Sequence, residues 1–172
     1  TQPVAIASIT KLMTGLVVYE NIPSFKALVK ISNKDIFTIE PVLGLKVDDE
    51  ISVGDLFYAM LVGSANDAAL ALANFTESQT GNNFDSLMNE KAIALDMDNS
   101  HFSNPLGFDS EANYSTASDI KKLIIATHGF QAFNLVGKND SYSFTSGTGI
   151  QCSIKATNKL TKGKKDLYAI KT

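Results

Sequence analysis

The chain has 172 residues, of which 44% are hydrophobic and 19% are charged, and its formal net charge is -3. This length and balance indicate one domain, or most of one, with a packed core, and they argue against a disordered chain. All 15 residues counted as Lys or Arg are lysines. Since arginine is favoured for phosphate recognition, we do not expect a nucleic-acid partner.

Helical spacing of apolar residues dominates the first half of the chain. It predicts four helices, over residues 8–19, 52–62, 66–75 and 84–95. Ser52 begins the second helix with a capping box. Gly63 and Ser64 interrupt the helical pattern before the third helix begins. A short strand is predicted at 27–31, whereas residues 33–51 show no helical period and carry turn residues.

The second half of the chain changes from helix to strand. A long loop over residues 98–113 is followed by a helix that Thr116 caps and that runs to Gly129. Beyond this helix, alternating residues and turn signals predict three strands, at 141–145, 150–155 and 167–171. A helical middle and a strand-rich end indicate an α+β fold.

Ser8 and Lys11 lie three residues apart in the first predicted helix, so they share one of its faces. A serine hydroxyl is a weak nucleophile until a base takes its proton, and a lysine that burial keeps neutral can be that base. By itself the spacing also fits a surface pair. The same S-x-x-K spacing recurs at Ser118 and Lys121, where a polar helix start indicates such a pair, whereas the apolar surroundings of Ser8 favour a buried nucleophile.

Ser64, Ala65 and Asn66 form the only S-x-N sequence in the chain, at the break between two predicted helices. Such a break could project Ser64 and Asn66 into a cleft. The alternative is helix capping, with Ser64 as the cap and Asp67 as its partner three residues later. The two interpretations are compatible, and the local pattern does not choose between them.

Lys171 and Thr172 close the last predicted strand and form the only K-T sequence. A lysine and a hydroxyl on such a strand could hold the carboxylate of a substrate. The alternative is an edge-strand lysine that discourages aggregation.

Other reactive residue types give weaker signals. Cys152 is the only cysteine, so it cannot form an intrachain disulfide, and its strand-like setting predicts a buried small side chain. His101 and His128 share no metal-type spacing, and neither has an obvious acidic partner, so a Ser-His-Asp triad is the weaker interpretation. No glycine-rich phosphate loop follows a strand. We therefore expect no metal and no cofactor.

The motifs S-x-x-K, S-x-N and K-T in this order resemble those of the penicillin-binding proteins and serine β-lactamases. Neighbouring blocks narrow the resemblance to the low-molecular-mass D-alanyl-D-alanine carboxypeptidases, peptidase family S11. These blocks extend over nearly all of the chain, at residues 7–14, 64–69, 88–92, 101–107 and 114–117. The resemblance implies a β-lactamase/DD-peptidase-like fold, with a helical subdomain and part of an antiparallel sheet.

The resemblance also implies a role for each catalytic residue. Ser8 would be the nucleophile that forms an acyl-enzyme, and Lys11 would be its general base. Ser64 would relay a proton to the leaving amine. Asn66 would contact the substrate amide and position Lys11.

The implied substrate is a peptidoglycan stem peptide ending in D-Ala-D-Ala, whose terminal carboxylate Lys171 and Thr172 would bind. The last D-alanine would leave, and water would then hydrolyse the ester on Ser8. β-Lactams would acylate Ser8 as inhibitors. The implied location is extracytoplasmic, in the periplasm or at the outer face of the cytoplasmic membrane or cell wall, with any membrane anchor outside these residues.

Several alternatives share the scaffold: a β-lactamase, an esterase, an endopeptidase, or a catalytically inactive wall-binding homologue. Class A β-lactamases carry an aspartate in the middle of the second motif, where this chain has Ala65, and a deacylating glutamate in an E-x-x-L-N segment that this sequence lacks. We therefore expect slow turnover of β-lactams.

The family has strands before its S-x-x-K motif, and further strands and a helix after K-T-G. On this resemblance, residues 1–172 are a partial catalytic domain that lacks the N-terminal strands and everything after the Lys-Thr of the third motif. One oxyanion-hole donor and part of the sheet would then be missing. We expect this segment alone to be inactive, because losing one such donor typically costs roughly 10²–10³ in rate.

Overall fold

A computed structural model gives the architecture of the chain, and the structure describes residues 2–108, 110–136 and 140–157. The strand predicted at 167–171, and with it Lys171 and Thr172, lies outside these ranges.

Six α-helices and six short strands make up the regular structure of the described residues. The helices are α1 (Thr10–Asn21), α2 (Val53–Gly63), α3 (Asn66–Thr80), α4 (Phe84–Ala94), α5 (Ala117–His128) and α6 (Gln131–Val136). The strands are β1 (Val4–Ala5), β2 (Leu28–Lys30), β3 (Glu50–Ser52), β4 (Tyr114–Ser115), β5 (Ser141–Thr145) and β6 (Gln151–Lys155). They form three antiparallel pairs, β1 with β4, β2 with β3 and β5 with β6. The α+β prediction is confirmed.

Helix α1 lies at the centre of the core and contacts α2, α3, α4 and α5. All of its residues from Thr10 to Val18 are buried. A helix that is covered on nearly every side needs no polar face. This explains why buried residues occur on all sides of α1 and not only along one apolar stripe. Next to it, the buried ring of Phe57 packs between Phe25 and Phe133, at centroid distances of 5.0 and 5.2 Å.

The predicted caps and helices are present, but the bounds of two helices differ by more than one residue: α1 starts later, and α3 runs to Thr80, five residues beyond its predicted end. Ser52 and Thr116 each accept a hydrogen bond from a backbone N–H three residues later, as predicted. Helix α1 begins at Thr10, two residues after the predicted start, because Ala7–Ile9 forms a 3-10 turn. Helix α6 was not predicted, since six residues are too few for a helical period to show.

The β5–β6 hairpin packs against α2. The Tyr142 ring stacks on Tyr58 at a centroid distance of 4.5 Å, and its hydroxyl donates to Asp55 Oδ1 at 2.7 Å. Just beyond β6, the Thr157 N–H donates to the Val62 carbonyl at 3.1 Å. The end of the hairpin therefore lies near the C-terminal end of α2, which Ser64 follows.

The remaining reactive residue types are Cys152, His101 and His128. Cys152 is in β6 as predicted, but it is half-buried rather than fully enclosed. Burial and the charges of nearby aspartates raise the pKa of its thiol. His101 is exposed and pairs with the backbone of Tyr114, and His128 is the exposed last residue of α5. In the part of the chain that the structure describes, no group of three or more His, Cys, Asp or Glu side chains could hold a metal ion.

Helices within the described ranges all fall short of the combined length and apolarity that a membrane span requires.

Candidate active site

Ser8 and Lys11 are adjacent at the start of α1. Ser8 lies in the 3-10 turn Ala7–Ile9, and Lys11 lies in the first turn of the α-helix. The Lys11 Nζ is 3.2 Å from the Ser8 Oγ. The lysine side chain is completely buried, at 0% exposure, whereas Ser8 is half-buried. An enclosed amine thus contacts a half-buried hydroxyl, and the two do not form the surface pair that the spacing alone also allowed.

Lys11 has two further oxygen partners. Its Nζ donates to Asn66 Oδ1 at 2.8 Å and to the Leu106 carbonyl at 2.6 Å. Both of these oxygens can only accept, whereas the Ser8 hydroxyl can also donate. A neutral amine that uses its two N–H groups on Asn66 and Leu106 has a lone pair that can take the Ser8 proton. The geometry therefore suits a general base.

Ser64 also contacts the Ser8 hydroxyl. It follows the last residue of α2, and its hydroxyl donates to the Ser8 Oγ at 3.1 Å. Its backbone is in the left-handed region, with φ 60°. This conformation costs a residue with a Cβ about 1–2 kcal/mol, and such strain clusters at functional sites.

The capping interpretation of Ser64 is wrong. Helix α3 begins after Ala65, and no side chain caps that end. The Ser64 hydroxyl instead contacts Ser8, and the Asp67 carboxylate accepts hydrogen bonds from the backbone of residues 43–45.

Asn66 is the first residue of α3, and its side-chain amide is held at both ends. Its Oδ1 accepts from Lys11, while its Nδ2 donates to the Ile39 carbonyl at 2.9 Å. The backbone N–H of Asn66 donates to the Pro41 carbonyl at 2.8 Å. Asn66 therefore links Lys11 to the loop that precedes β3.

A second loop, which contains Asn104 and Leu106, contacts Lys11, and its role was not predicted. The Asn104 Oδ1 accepts from the backbone N–H groups of Leu106, Gly107 and Phe108, at 3.2, 2.7 and 3.0 Å. These bonds fix a tight turn that aims the Leu106 carbonyl at Lys11. Asn-Pro followed by glycine is a turn signal, so the turn itself could have been found from the sequence.

Two hydrogen bonds, one part-buried and one buried, tie this region to α1. The Thr14 hydroxyl donates to the Pro105 carbonyl at 2.7 Å, and the Asn113 Nδ2 donates to the Thr10 Oγ1 at 3.1 Å. Because Thr10 and Thr14 are fully buried, these polar groups need partners inside the protein, and the loop supplies them.

The two loops meet beside the nucleophile. Phe37 from the first loop and Phe108 from the second pack together, with a centroid distance of 5.4 Å. The backbones of Ile39 and Leu106, each two residues from one of these rings, contact Asn66 and Lys11. The aromatic pair therefore joins the two segments that hold the polar cluster.

The structure brings together Ser8, Lys11, Ser64 and Asn66, four of the six predicted site residues. The other two, Lys171 and Thr172, lie outside the described residues. Ser118 and Lys121, the second S-x-x-K match, are exposed on α5 and form an ordinary surface pair as expected.

Solved structures share this architecture. The crystal structure of the Streptomyces K15 DD-transpeptidase matches it with a TM-score of 0.88 at 27% identity, over 99% of this chain and 71% of that one. The chain thus has the fold of the DD-peptidases, with the serine–lysine cluster at the start of α1. The profile of the D-alanyl-D-alanine carboxypeptidase family, peptidase S11, matches residues 1–172, and the chain belongs to this family.

Curated relatives agree with this assignment. The D-alanyl-D-alanine carboxypeptidase DacF of Bacillus subtilis is 34% identical over 123 residues, which are 67% of this chain and 31% of the relative. A D-alanyl-D-alanine endopeptidase of Pseudomonas aeruginosa is 36% identical over 129 residues, which are 74% of this chain and 41% of the relative. The chain therefore matches less than half the length of these relatives.

Proposed function

We propose that the protein is a serine-type D-Ala-D-Ala carboxypeptidase, which removes the terminal D-alanine from peptidoglycan stem peptides through an acyl-enzyme on Ser8. One observation carries the proposal: the fully buried Lys11 Nζ lies 3.2 Å from the Ser8 Oγ, and the Ser64 hydroxyl lies 3.1 Å from the same atom. Nucleophile, base and relay are in contact without any movement of the backbone.

In the first step, the Ser8 Oγ attacks the carbonyl carbon of the penultimate D-alanine while its proton passes to Lys11. The negative charge that develops on the carbonyl oxygen is stabilised by backbone N–H donors, of which the Ser8 N–H would be one. The amide bond then breaks, and the leaving amine takes a proton through Ser64. D-Alanine departs, and Ser8 carries the acyl group as an ester.

In the second step, water attacks this ester and restores the Ser8 hydroxyl. Lys11 again serves as the base, since the same group must take and return a proton in the two halves of the reaction. The carboxylate of the departing D-alanine would be held by Lys171 and Thr172, as the sequence predicts.

Substrate and inhibitors follow from this chemistry. Stem peptides of the cell wall lie outside the cytoplasm, so the proposal includes an extracytoplasmic location. β-Lactams would acylate Ser8 in the same way as the dipeptide. The sequence lacks the E-x-x-L-N segment whose glutamate deacylates class A β-lactamases, so the ester should be long-lived. Rapid hydrolysis of a chromogenic cephalosporin would contradict this expectation.

The test uses the protein at its full natural length. Intact-mass spectrometry after exposure to benzylpenicillin should show one added penicillin, and the Ser8→Ala variant should show none. The reaction itself is measured by the release of D-alanine from a peptide that ends in Lys-D-Ala-D-Ala, with either D-Lys or L-Lys. An adduct that persists in Ser8→Ala, or a wild-type protein that binds penicillin but releases no D-alanine, would overturn the proposal.

One alternative has a specific observation in its favour. The Pseudomonas aeruginosa relative, at 36% identity, is named as an endopeptidase. Cleavage of a cross-linked muropeptide in preference to a linear pentapeptide would assign that activity to this protein instead. Both reactions use the same acyl-enzyme, so the roles of the four clustered residues would be unchanged.

A further inference from the structure

Asp67 is a fully buried carboxylate directly after the second motif, at 0% exposure. Its two oxygens accept hydrogen bonds of 2.8 to 3.1 Å from four backbone N–H groups. The donors are Leu43, Gly44, Leu45 and Ala68. Burying a carboxylate is costly unless such donors surround it, and three of these donors come from a loop more than 20 residues away in sequence.

Two carbonyl groups of the same loop accept hydrogen bonds from Asn66. The Asn66 backbone N–H donates to Pro41, and the Asn66 Nδ2 donates to Ile39. Residues 36–46 contain no helix or strand, so the bonds to Asn66 and Asp67, together with the Phe37–Phe108 contact and the burial of Leu45, fix the course of the loop. Asp67 holds the loop, and the loop in turn holds Asn66.

The orientation of the Asn66 amide depends on this arrangement. While its Nδ2 donates to Ile39, its Oδ1 must face the opposite way, toward Lys11 at 2.8 Å. If the loop moved, the amide could rotate and the amine would lose an acceptor. An amine that shifts relative to Ser8 transfers a proton less effectively, because general-base catalysis requires hydrogen-bond reach.

We propose that Asp67 is a positioning residue for acyl transfer: by clamping residues 43–45, it fixes the Ile39 and Pro41 carbonyls that orient Asn66 against Lys11. The four hydrogen bonds described above join the Asp67 carboxylate to backbone N–H groups, and Asp67 acts through the loop. The inference rests on the proposed function, because it concerns the same site.

The first test is Asp67→Asn in the full-length protein. The variant keeps the shape of the side chain but turns an NH2 group toward backbone N–H donors. We expect the second-order rate constant for acylation by a fluorescent penicillin to fall by about 10²-fold, as a small misplacement of catalytic groups can produce. The pH profile of acylation should also move, because Asn66 no longer contacts the amine as in the wild type.

A second variant separates the loop from the charge. Gly44 has φ +83°, and a Cβ added there would meet nothing within 4 Å, so Gly44→Ala strains the loop without a clash and keeps the Asp67 carboxylate. We expect slower acylation and a moved pH profile here too, with a smaller change. A shifted profile in Asp67→Asn but not in Gly44→Ala would show that the charge acts directly and would overturn the proposal.

Matched controls distinguish positioning from loss of stability. Asp35 is also a buried carboxylate, with hydrogen bonds from Ser32 and Asn74, so Asp35→Asn should lower the melting temperature but leave the acylation profile unchanged. Gly81→Ala matches Gly44→Ala, since Gly81 has φ +73° and the same open space.

The outcomes keep the two proposals apart. If the wild-type protein is not acylated at Ser8, the proposed function fails. If the wild type is acylated and Asp67→Asn and Gly44→Ala react at the wild-type rate with the wild-type pH profile, the positioning role alone fails.

Discussion

Gly107 and Ala7 are packed so closely that only a glycine fits at position 107. A Cβ on Gly107 would lie 2.1 Å from the Ala7 carbonyl oxygen and 3.1 Å from the Ser8 nitrogen. The backbone is left-handed on both sides of this contact, with φ +83° at Gly107 and φ 45° at Ala7. The turn that carries the Leu106 carbonyl therefore rests directly on the residue before the nucleophile.

Gly107→Ala should displace Ser8. The added methyl group would meet backbone, which cannot move aside as a flexible side chain can, so the turn and the nucleophile must separate. We expect acylation by a fluorescent penicillin to fall by about 10²-fold or more, together with a lower melting temperature. Gly81→Ala is the control, because it adds a Cβ at a positive φ in open space. Wild-type acylation of Gly107→Ala would show that the contact does not position Ser8.

Ser64 combines a hydroxyl function with backbone strain, and two substitutions separate them. Ser64→Ala and Ser64→Gly both remove the donor to Ser8, so we expect each to slow the reaction by about 10²–10⁴-fold. Only glycine relieves the left-handed strain. Its greater conformational freedom in the unfolded chain offsets part of this gain in stability. Ser64→Gly should therefore be about 0.5–1 kcal/mol more stable than Ser64→Ala in urea unfolding. Equal stability would remove the evidence for strain, and wild-type rates would remove the relay role.

The aromatic core beside α1 should dominate stability. Phe57 is fully buried between two other rings, so Phe57→Ala should lower the free energy of unfolding by about 3–5 kcal/mol through lost burial and a cavity. Ile93→Ala is the contrast, since Ile93 is 76% exposed and its loss should stay within about 0.5 kcal/mol. A small effect at Phe57 would mean that the neighbouring rings close the gap.

Local features of the fold could be read from the sequence. The caps at Ser52 and Thr116 depend on residues three positions apart, and so does the approach of Lys11 to Ser8. Such spacings have a fixed geometry once a helix forms, so the pattern predicts the contact. Strands β1 and β4, by contrast, have two residues each and exist only because they pair with one another.

The contacts of the site between residues far apart in sequence could not be predicted from local spacing. Lys11 donates to the carbonyl of Leu106, which lies 95 positions away in sequence. Every residue has a backbone carbonyl, so no sequence motif can reveal this partner. The same holds for the Ile39 and Pro41 carbonyls that receive Asn66. Local pattern left Ser64 open between a helix cap and a catalytic group. Its placement beside Ser8 followed from the family resemblance and not from any spacing within the chain.

Asp49 should make the attachment of the β5–β6 hairpin sensitive to acid. This buried carboxylate accepts hydrogen bonds from the Thr148 hydroxyl at 2.5 Å and from the Glu50 N–H at 2.9 Å. Burial by itself would raise the pKa of Asp49, but the hydrogen bonds from Thr148, Ser146 and the backbone outweigh it and hold the pKa below its usual range. A carboxyl whose pKa is lower in the folded state stabilises the fold above its unfolded pKa, about 3.9, and loses that contribution as the pH falls through the folded value.

The corresponding experiment compares Asp49→Asn with the wild type by urea unfolding at pH 6.5 and pH 3. We expect the variant to be less stable by about 1–3 kcal/mol at the higher pH, the range for hydrogen bonds to a charged group, and the difference to shrink at the lower pH. Asp48→Asn is the matched control, because the neighbouring Asp48 side chain is 77% exposed and pairs only at the surface with Lys30. Its effect should be small at both pH values. A difference for Asp49→Asn that is equally large at pH 3 would mean that the shape of the side chain, and not its ionisation, holds Thr148 in place.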